Sequence, residues 1–596
     1  MQKPKYVVNQ VLVSSILNWV ISGQIAIPEI QRPFVWSASK VRDLLDSLYQ
    51  GFPIGYVIAW KNPDAKLKDG STAEGKKVLI DGQQRVVALT AAVLGREVVN
   101  KDYKKIRIKI AFNPLEEKFE VINPAIEKDI RWIPDISEIM KGDADLFEIA
   151  ADYLIKNPDA DKKKVQNVII KLKNLSERQI GFIELESDLG IETVTEIFIR
   201  INSEGVVLSQ ADFAMSKIAS YGDYGAILRK YIDYFCHLAK FPEFFSTLKE
   251  NDSDFSKSKY LAKIEWLKNI QDDLYDPDYS DLLRVAFTSE FNRGKLTDLV
   301  SLLSGRNFEK RIFEKNISEE SFQRLEKSID NFTSQTNFER FLMIIKSAGF
   351  IDKSMITSSN SINFAYILYL KLKDGKYDPA KIESLVRKWF VLSILTGRYS
   401  SSPESAFDYD IRNMAEDYEK YINTTISAEL SDSFWEIGLI ENLKRSVVSN
   451  PFINVFFASQ VKDNNKGFLS TDITVRDMII HRGDIHHIFP KAYLRTKYNS
   501  RNDYNQIANY VYMQSEINIQ VGKKSPEEYF GEIINQIKTG DIKYGGITDM
   551  GTLSENLSQH CIPESIFSMT LDNYFDFLDQ RRKLIAQKIK KYYQEL

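Results

Sequence analysis

Asp484-Ile485-His486-His487-Ile488-Phe489-Pro490-Lys491 is the stretch on which the reading of this chain turns. It sets two histidines side by side, just before a proline. Downstream come Asn509-Tyr510-Val511-Tyr512-Met513, then Asn518, nine residues beyond Asn509, then Gly522-Lys523-Lys524-Ser525-Pro526. The chain has only five histidines, and three of them (His481, His486, His487) fall within seven residues. Cutting a phosphodiester needs a group that takes a proton from water near neutral pH, and imidazole suits that task. It also needs a hard cation that neutralises charge on the phosphate and the leaving oxygen. That cation wants a few protein ligands and open positions for water and phosphate oxygens. An adjacent His pair, with amides returning from a strand–loop–helix, supplies such a set. His481 reads as structural.

Around this stretch the chain is ordinary globular protein. It has 596 residues, 43% hydrophobic and 27% charged, which excludes a disordered or fibrous class. Lys and Arg number 79 against 82 Asp and Glu, a formal charge of -3 that excludes a polycation but leaves room for a local basic surface. Two cysteines, Cys236 and Cys561, cannot build a disulfide framework or a four-cysteine zinc site, and they point to a reducing cytoplasm. The N-terminus shows no secretory apolar region, and no apolar run approaches the roughly 18 residues of a membrane helix.

The sequence shows no internal repeat. Its first part, to about residue 220, mixes strands and helices. Ser37 is placed to cap a helix through Val41, Leu44, Leu45 and Leu48, which Gly51-Phe52-Pro53-Ile54-Gly55 ends. Tyr56–Trp60 reads as a buried strand, and Ile106–Ile110 alternates as a strand does. Residues 221–395 are mostly helical, with Ile382, Leu385, Val386, Trp389 and Phe390 on one stripe. Thr396-Gly397-Arg398-Tyr399-Ser400-Ser401-Ser402-Pro403 breaks that pattern like an inter-domain joint. Residues 396–596 end in a helix, Leu571 to Tyr593, whose Arg581, Arg582, Lys583, Lys588, Lys590 and Lys591 read as a solvated face.

A second chemical feature lies near the N-terminus. Lys77-Val78-Leu79-Ile80 is a short strand, Asp81-Gly82-Gln83-Gln84-Arg85 a turn, and Val86, Leu89, Val93 and Leu94 the inner face of a helix. Gly82 permits close approach of a ligand, the first N–H groups of the helix favour an anion, and Arg85 adds a two-pronged phosphate contact. Asp81 as an ordinary N-cap and Arg85 as a surface residue fit the same letters. No P-loop competes: Ile517 and Lys524 stand where it needs Gly and Ser or Thr.

The C-terminal set resembles the HNH (ββα-metal) nuclease motif: His-His-Ile-x-Pro, an Asn, a second Asn nine residues on, then Gly-Lys. The resemblance implies His487 as general base and His486 as first metal ligand. Asn518 becomes the second ligand, where many such enzymes have histidine, and Asn509 braces the loop and orients His487. His487, Asn509, His486 and Asn518 form the implied catalytic set, with Asp484 an extra ligand or outer group. Lys491, Lys523 and Lys524 become DNA-phosphate contacts. Imidazole, amide oxygen, water and phosphate suit Mg²⁺ or Mn²⁺.

The N-terminal half resembles the DGQQR-type domain of GmrS/GmrD-like modification-dependent (type IV) restriction enzymes, a domain similar to the ParB/sulfiredoxin fold. Besides Asp81–Arg85, the marks are Ile30-Gln31-Arg32-Pro33-Phe34-Val35-Trp36 and Asn202-Ser203-Glu204-Gly205 with Leu208, Ser209 and Asp212. The resemblance implies a nucleoside triphosphate (ATP or GTP) site of Gln31, Arg32, Asp81, Gly82, Gln83, Gln84, Arg85, Asn202 and Asp212. The expected fold is α+β and helix-rich: a ParB-like domain over 1–220, a helical middle over 221–395, and an HNH domain over 396–596. The expected function is a nucleotide-regulated phage-defence endonuclease cutting double-stranded DNA with hydroxymethylated or glucosylated cytosine, with the helical middle as a possible dimer surface. A phosphorothioate-sensing NTPase that nicks DNA, and a DNA-binding regulator with a vestigial HNH, are the alternatives.

Overall fold

The structure is a computed structural model that describes residues 5–26, 36–60, 77–99, 105–186, 189, 197, 210–219, 221–272, 274–310, 312, 314–444, 450–481 and 483–596. The chain divides into two compact units, Met1–Arg229 and Lys230–Leu596. It is helix-rich with small sheets, the α+β class expected.

The first unit carries a five-stranded sheet. Its strands are β1 (Tyr6–Leu12), β2 (Ile25–Ala26), β3 (Tyr56–Trp60), β4 (Lys77–Asp81) and β5 (Gln179–Leu185), in spatial order β1-β5-β3-β4-β2. β1 runs antiparallel to β5, β5 parallel to β3, β3 antiparallel to β4, and β4 parallel to β2. Three helices, α1 (Val13–Ile21), α2 (Ala38–Gln50) and α3 (Gln83–Val93), share one apolar core with it. α2 forms as its letters predict. The Ser37 hydroxyl accepts from Lys40 N at 3.3 Å, Val41, Leu44, Leu45 and Leu48 face inward, and Gly51 closes the helix at φ 79°.

The expected strand over Ile106–Ile110 is broken. Strands lie at Lys105–Ile106 and Ile110–Asn113, with irregular backbone between. The cause is Arg107. Its guanidinium turns inward onto the carbonyls of Ala91 (2.7 Å) and Ile108 (3.0 Å), the Asp135 carboxylate (2.8 Å) and the Ser137 hydroxyl (2.9 Å). An alternating pattern records which side chains are apolar, not where a polar one finds its partners.

The second unit is built on helices. Tyr279–Phe291 packs on Lys315–Thr333 and Ser359–Asp374, and Ser359–Asp374 packs on Pro379–Thr396. Pro379–Thr396 buries the expected stripe and ends at Gly397, φ 62°. The break after it is present, but it is interior. Tyr399 is buried, accepts from Trp389 Nε1 at 3.0 Å and donates to Asp410 at 2.8 Å, and Arg398 donates from Nε to the fully buried Asp410 at 2.7 Å. The compact unit runs through this stretch undivided.

The C-terminal helix spans Tyr574–Gln594. The solvated basic face expected of it is not what forms. Arg581 and Arg582 are buried, Lys588 donates to Asn465 at 2.7 Å and pairs with Asp463 at 3.1 Å, and Lys590 pairs with Asp432 at 3.0 Å. Only Lys583 and Lys591 of the six stay exposed. The sequence carried this signal: Tyr574, Phe577, Leu578, Arg581 and Ile585 share the helical spacing of a buried stripe, and Arg581 sits on it.

Candidate functional site

The C-terminal histidines lie on β6 (Ile485–His487), paired antiparallel with β7 (Tyr510–Tyr512) so that His486 faces Val511 and His487 faces Tyr510 across the ladder. The helix α4 (Ser515–Val521) follows at once and carries Asn518. Two short strands and a helix therefore bring His486, His487, Asn509 and Asn518 onto one small unit.

The turn after His487 is held on every side. Ile488 N donates to Asn509 O (2.9 Å), and Ile488 O accepts from the Tyr529 hydroxyl (3.1 Å). Phe489 N donates to Asn509 Oδ1 (2.8 Å), and Phe489 O accepts from Asn509 Nδ2 (3.0 Å). Pro490 brings no N–H to satisfy. Asn509 is fully buried. Both ends of its carboxamide are spent on Phe489, so orienting the His487 ring falls to other groups. The Tyr510 ring stands edge-on to it, centroids 5.0 Å apart, and the Asn505 side chain hydrogen-bonds to it.

The Nε2 atoms of both His486 and His487 are buried and without a hydrogen-bond partner. A buried polar atom left bare costs about 1–3 kcal/mol, and two such atoms on adjacent residues call for a common partner. Burial pulls the His487 imidazole down to about 4; the Asn505 bond opposes this, and the charge of Lys491 adds to it. The ring is thus neutral at neutral pH, with a free nitrogen. His486 is lowered by burial as well, against the nearby negative charge of Asp484. Asp484 is exposed and immediately precedes β6. Asn518 is half-buried on α4. Among the described residues no three or more His, Cys, Asp or Glu side chains are grouped to hold a metal ion. The donors on hand are imidazole and carboxamide, which suit a hard cation that keeps open positions.

The three expected phosphate contacts differ. Lys523 is exposed, and Lys491 is exposed with its ammonium 5.5 Å from the Tyr504 ring centroid. Lys524 is committed elsewhere: it donates to Gln520 O (3.0 Å), Glu532 (2.9 Å) and the Tyr544 hydroxyl (2.7 Å). Burial raises the Glu532 carboxyl, but Lys543, the Tyr544 hydroxyl and Lys524 together hold it down at about 2.

In the first unit, Asp81 ends β4, Gly82 turns the chain at φ 85°, and Gln83 opens α3 with no side chain capping it. Glycine is required there: a Cβ would lie 3.1 Å from Val57 Cα. Arg85 folds back over the turn. It donates to Tyr56 O and lies 3.8 Å from the Asp81 carboxylate. Part of its fork is therefore already used. Gln83 is buried and Gln84 half-buried. Asp212 is half-buried in the first turn of the Gln210–Ala219 helix. Gln31, Arg32 and Asn202 lie outside the described residues.

Asn505, Tyr529 and Arg581 escaped the sequence reading. No local spacing ties them to the histidines, and only Arg581, an arginine on an apolar stripe, left a trace.

Comparison with known proteins bears on both units. The chain is 23% identical to the uncharacterized protein MJ0686 of Methanocaldococcus jannaschii, over 95% of this chain and 96% of that one. Residues 13–219, nearly the whole first unit, match the family model of the GmrSD restriction endonuclease N-terminal domain, and it is to that domain that the chain's first third is similar.

Proposed function

We propose that this protein is a divalent-metal-dependent DNA endonuclease of a modification-dependent restriction system, with a nucleotide-hydrolysing N-terminal module. The observation that carries the reading is the pair of bare, buried Nε2 atoms on adjacent histidines of a strand–strand–helix unit. The match of residues 13–219 to a domain of GmrSD restriction endonucleases supports a restriction-type nuclease acting on DNA.

His486 and Asn518, with Asp484 beside them, would hold Mg²⁺ or Mn²⁺, which when bound neutralises charge on the phosphate and the leaving oxygen. His487 takes the proton from the attacking water. Its neutrality leaves Nε2 ready to accept at neutral pH. Asn509 keeps the turn behind His487 rigid, and the Tyr510 ring edge-on to the imidazole bears on where that nitrogen points. Lys491 and Lys523, both exposed, would draw the backbone of double-stranded DNA. In the first unit, the open N-terminus of α3 beside Asp81, Gly82, Gln83, Gln84 and Arg85 would take the phosphates of ATP or GTP, with Gln31, Arg32, Asn202 and Asp212. Modified cytosines of phage DNA are the proposed target, and the cytoplasm the proposed compartment.

The test is cleavage of unmodified, hydroxymethylated, glucosylated and phosphorothioated DNA with Mg²⁺, with and without nucleotide, by the wild type and His487→Ala. Cutting by the wild type alone supports the reading; no cutting of any substrate, or equal cutting by both, contradicts it.

A further inference from the structure

The C-terminal helix, α5 (Tyr574–Gln594), sends a fully buried arginine to the strand that faces the histidines. Arg581 donates from one terminal nitrogen to Ala508 O (2.7 Å), from the other to Tyr510 O (3.0 Å), and from Nε to His560 O (3.1 Å). Burial pulls it down to about 10, so it stays charged at neutral pH. Among the described residues no carboxylate pairs with it. A buried cation is costly, and this one, held by three carbonyls with its guanidinium carbon 5.9 Å from the Phe456 ring centroid, does not owe its place to an ion pair.

What it grips is the informative part. Ala508 and Tyr510 flank Asn509, whose carboxamide holds Phe489 N and O. Tyr510 lies opposite His487 in the ladder and sets its ring edge-on to that imidazole. The next residue, Arg582, is also buried but donates to the side chains of Gln506 (2.8 Å) and Asp579 (2.6 Å), not to the carbonyls that flank Asn509. We infer that Arg581 is a positioning residue of the nuclease centre: by clamping the carbonyls on either side of Asn509, it fixes Asn509 and Tyr510, and through them the turn and ring of His487. The inference rests on the nuclease reading for its functional half. The planar fork of arginine reaches both carbonyls with fixed, diverging N–H groups; a lysine ammonium lacks that fork and its reach, so it does not reproduce both bonds with the same geometry.

The experiment uses the full chain as wild type, Arg581→Lys and Arg582→Lys. Amide hydrogen exchange is followed in peptides covering 485–490 and 507–512, with the Ser359–Asp374 helix as reference, and kcat and KM are measured on whichever DNA the wild type cuts. In Arg581→Lys, exchange at Ile488 and Phe489 rises about ten-fold, the equivalent of about 1.4 kcal/mol, while the reference helix is unchanged. The same variant loses about ten-fold in kcat with KM unmoved, as misplacement of the base requires. Arg582→Lys shows neither change. Unaltered protection of 485–490 in folded Arg581→Lys overturns the inference. So does uniform loss of protection across Lys230–Leu596, which makes Arg581 a core residue and nothing more. A wild type that cuts no DNA refutes the nuclease reading instead, and the exchange data still decide whether Arg581 holds the histidine turn.

Discussion

His487 shows how far one residue's surroundings set its chemistry. Burial and the charge of Lys491 outweigh the Asn505 hydrogen bond, and the imidazole stays neutral with Nε2 free. His560, in the same unit, reaches neutrality for another purpose. Its Nε2 donates to Lys466 O at 2.9 Å and its Nδ1 lies 3.2 Å from Gln460 Nε2, and burial brings it down to about 3. The sign of its effect on stability follows. The unfolded chain takes up a proton near the ordinary histidine value of about 6.5 and the folded chain does not, so stability is complete above that pH and falls below it, by about 1.4 kcal/mol per pH unit for one such group. The urea midpoint should drop between pH 7.5 and pH 5.0, and His560→Gln should remove His560's share of the drop, leaving that of His487. An equal drop in wild type and variant would contradict the burial argument. The two histidines, Asn509 and Asn518 were legible in the sequence because they sit in one short window with distinctive spacing. Tyr529 and Arg581 were not, because hydrogen bonds to backbone leave no pattern of residue types.

Among elements, the turn that follows β6 depends most on a single side chain. Asn509→Ala strips the partners from Phe489 N and O, each at a cost of about 1–3 kcal/mol. Thermal unfolding should register that loss, with cleavage falling further than the folded fraction does. A variant as stable and active as wild type would show that the brace is dispensable. Gly82, between β4 and α3, is constrained otherwise. Gly82→Ala meets both a left-handed φ of 85° and Val57 Cα at 3.1 Å, so a loss of about 1–3 kcal/mol is expected in chemical denaturation. A neutral substitution would mean that the turn differs from the one described. The β4–turn–α3 pattern was readable because an apolar run, a glycine and a helical stripe follow one another locally. Arg107 broke the expected strand because its partners lie on other elements.

At the scale of the molecule, the two proposed sites lie in different compact units, and their independence can be tested. Arg85→Ala and Asp81→Ala should abolish nucleotide hydrolysis, whereas His487→Ala should leave it near the wild-type rate. Unchanged turnover in the first two would return Asp81 and Arg85 to the roles of cap and fold-back contact. The helical middle was legible as helix from its apolar stripe. The break at Thr396–Pro403 was legible as a break but not as interior, because Tyr399 and Arg398 find Asp410 only in the folded chain. The central claim is that His487 takes the proton in DNA cleavage, and cutting of modified phage DNA by wild type and His487→Ala with Mg²⁺ tests it most directly. The wild type should cut, and the variant should fall to background while still hydrolysing nucleotide; a variant that cuts as fast as wild type would contradict it.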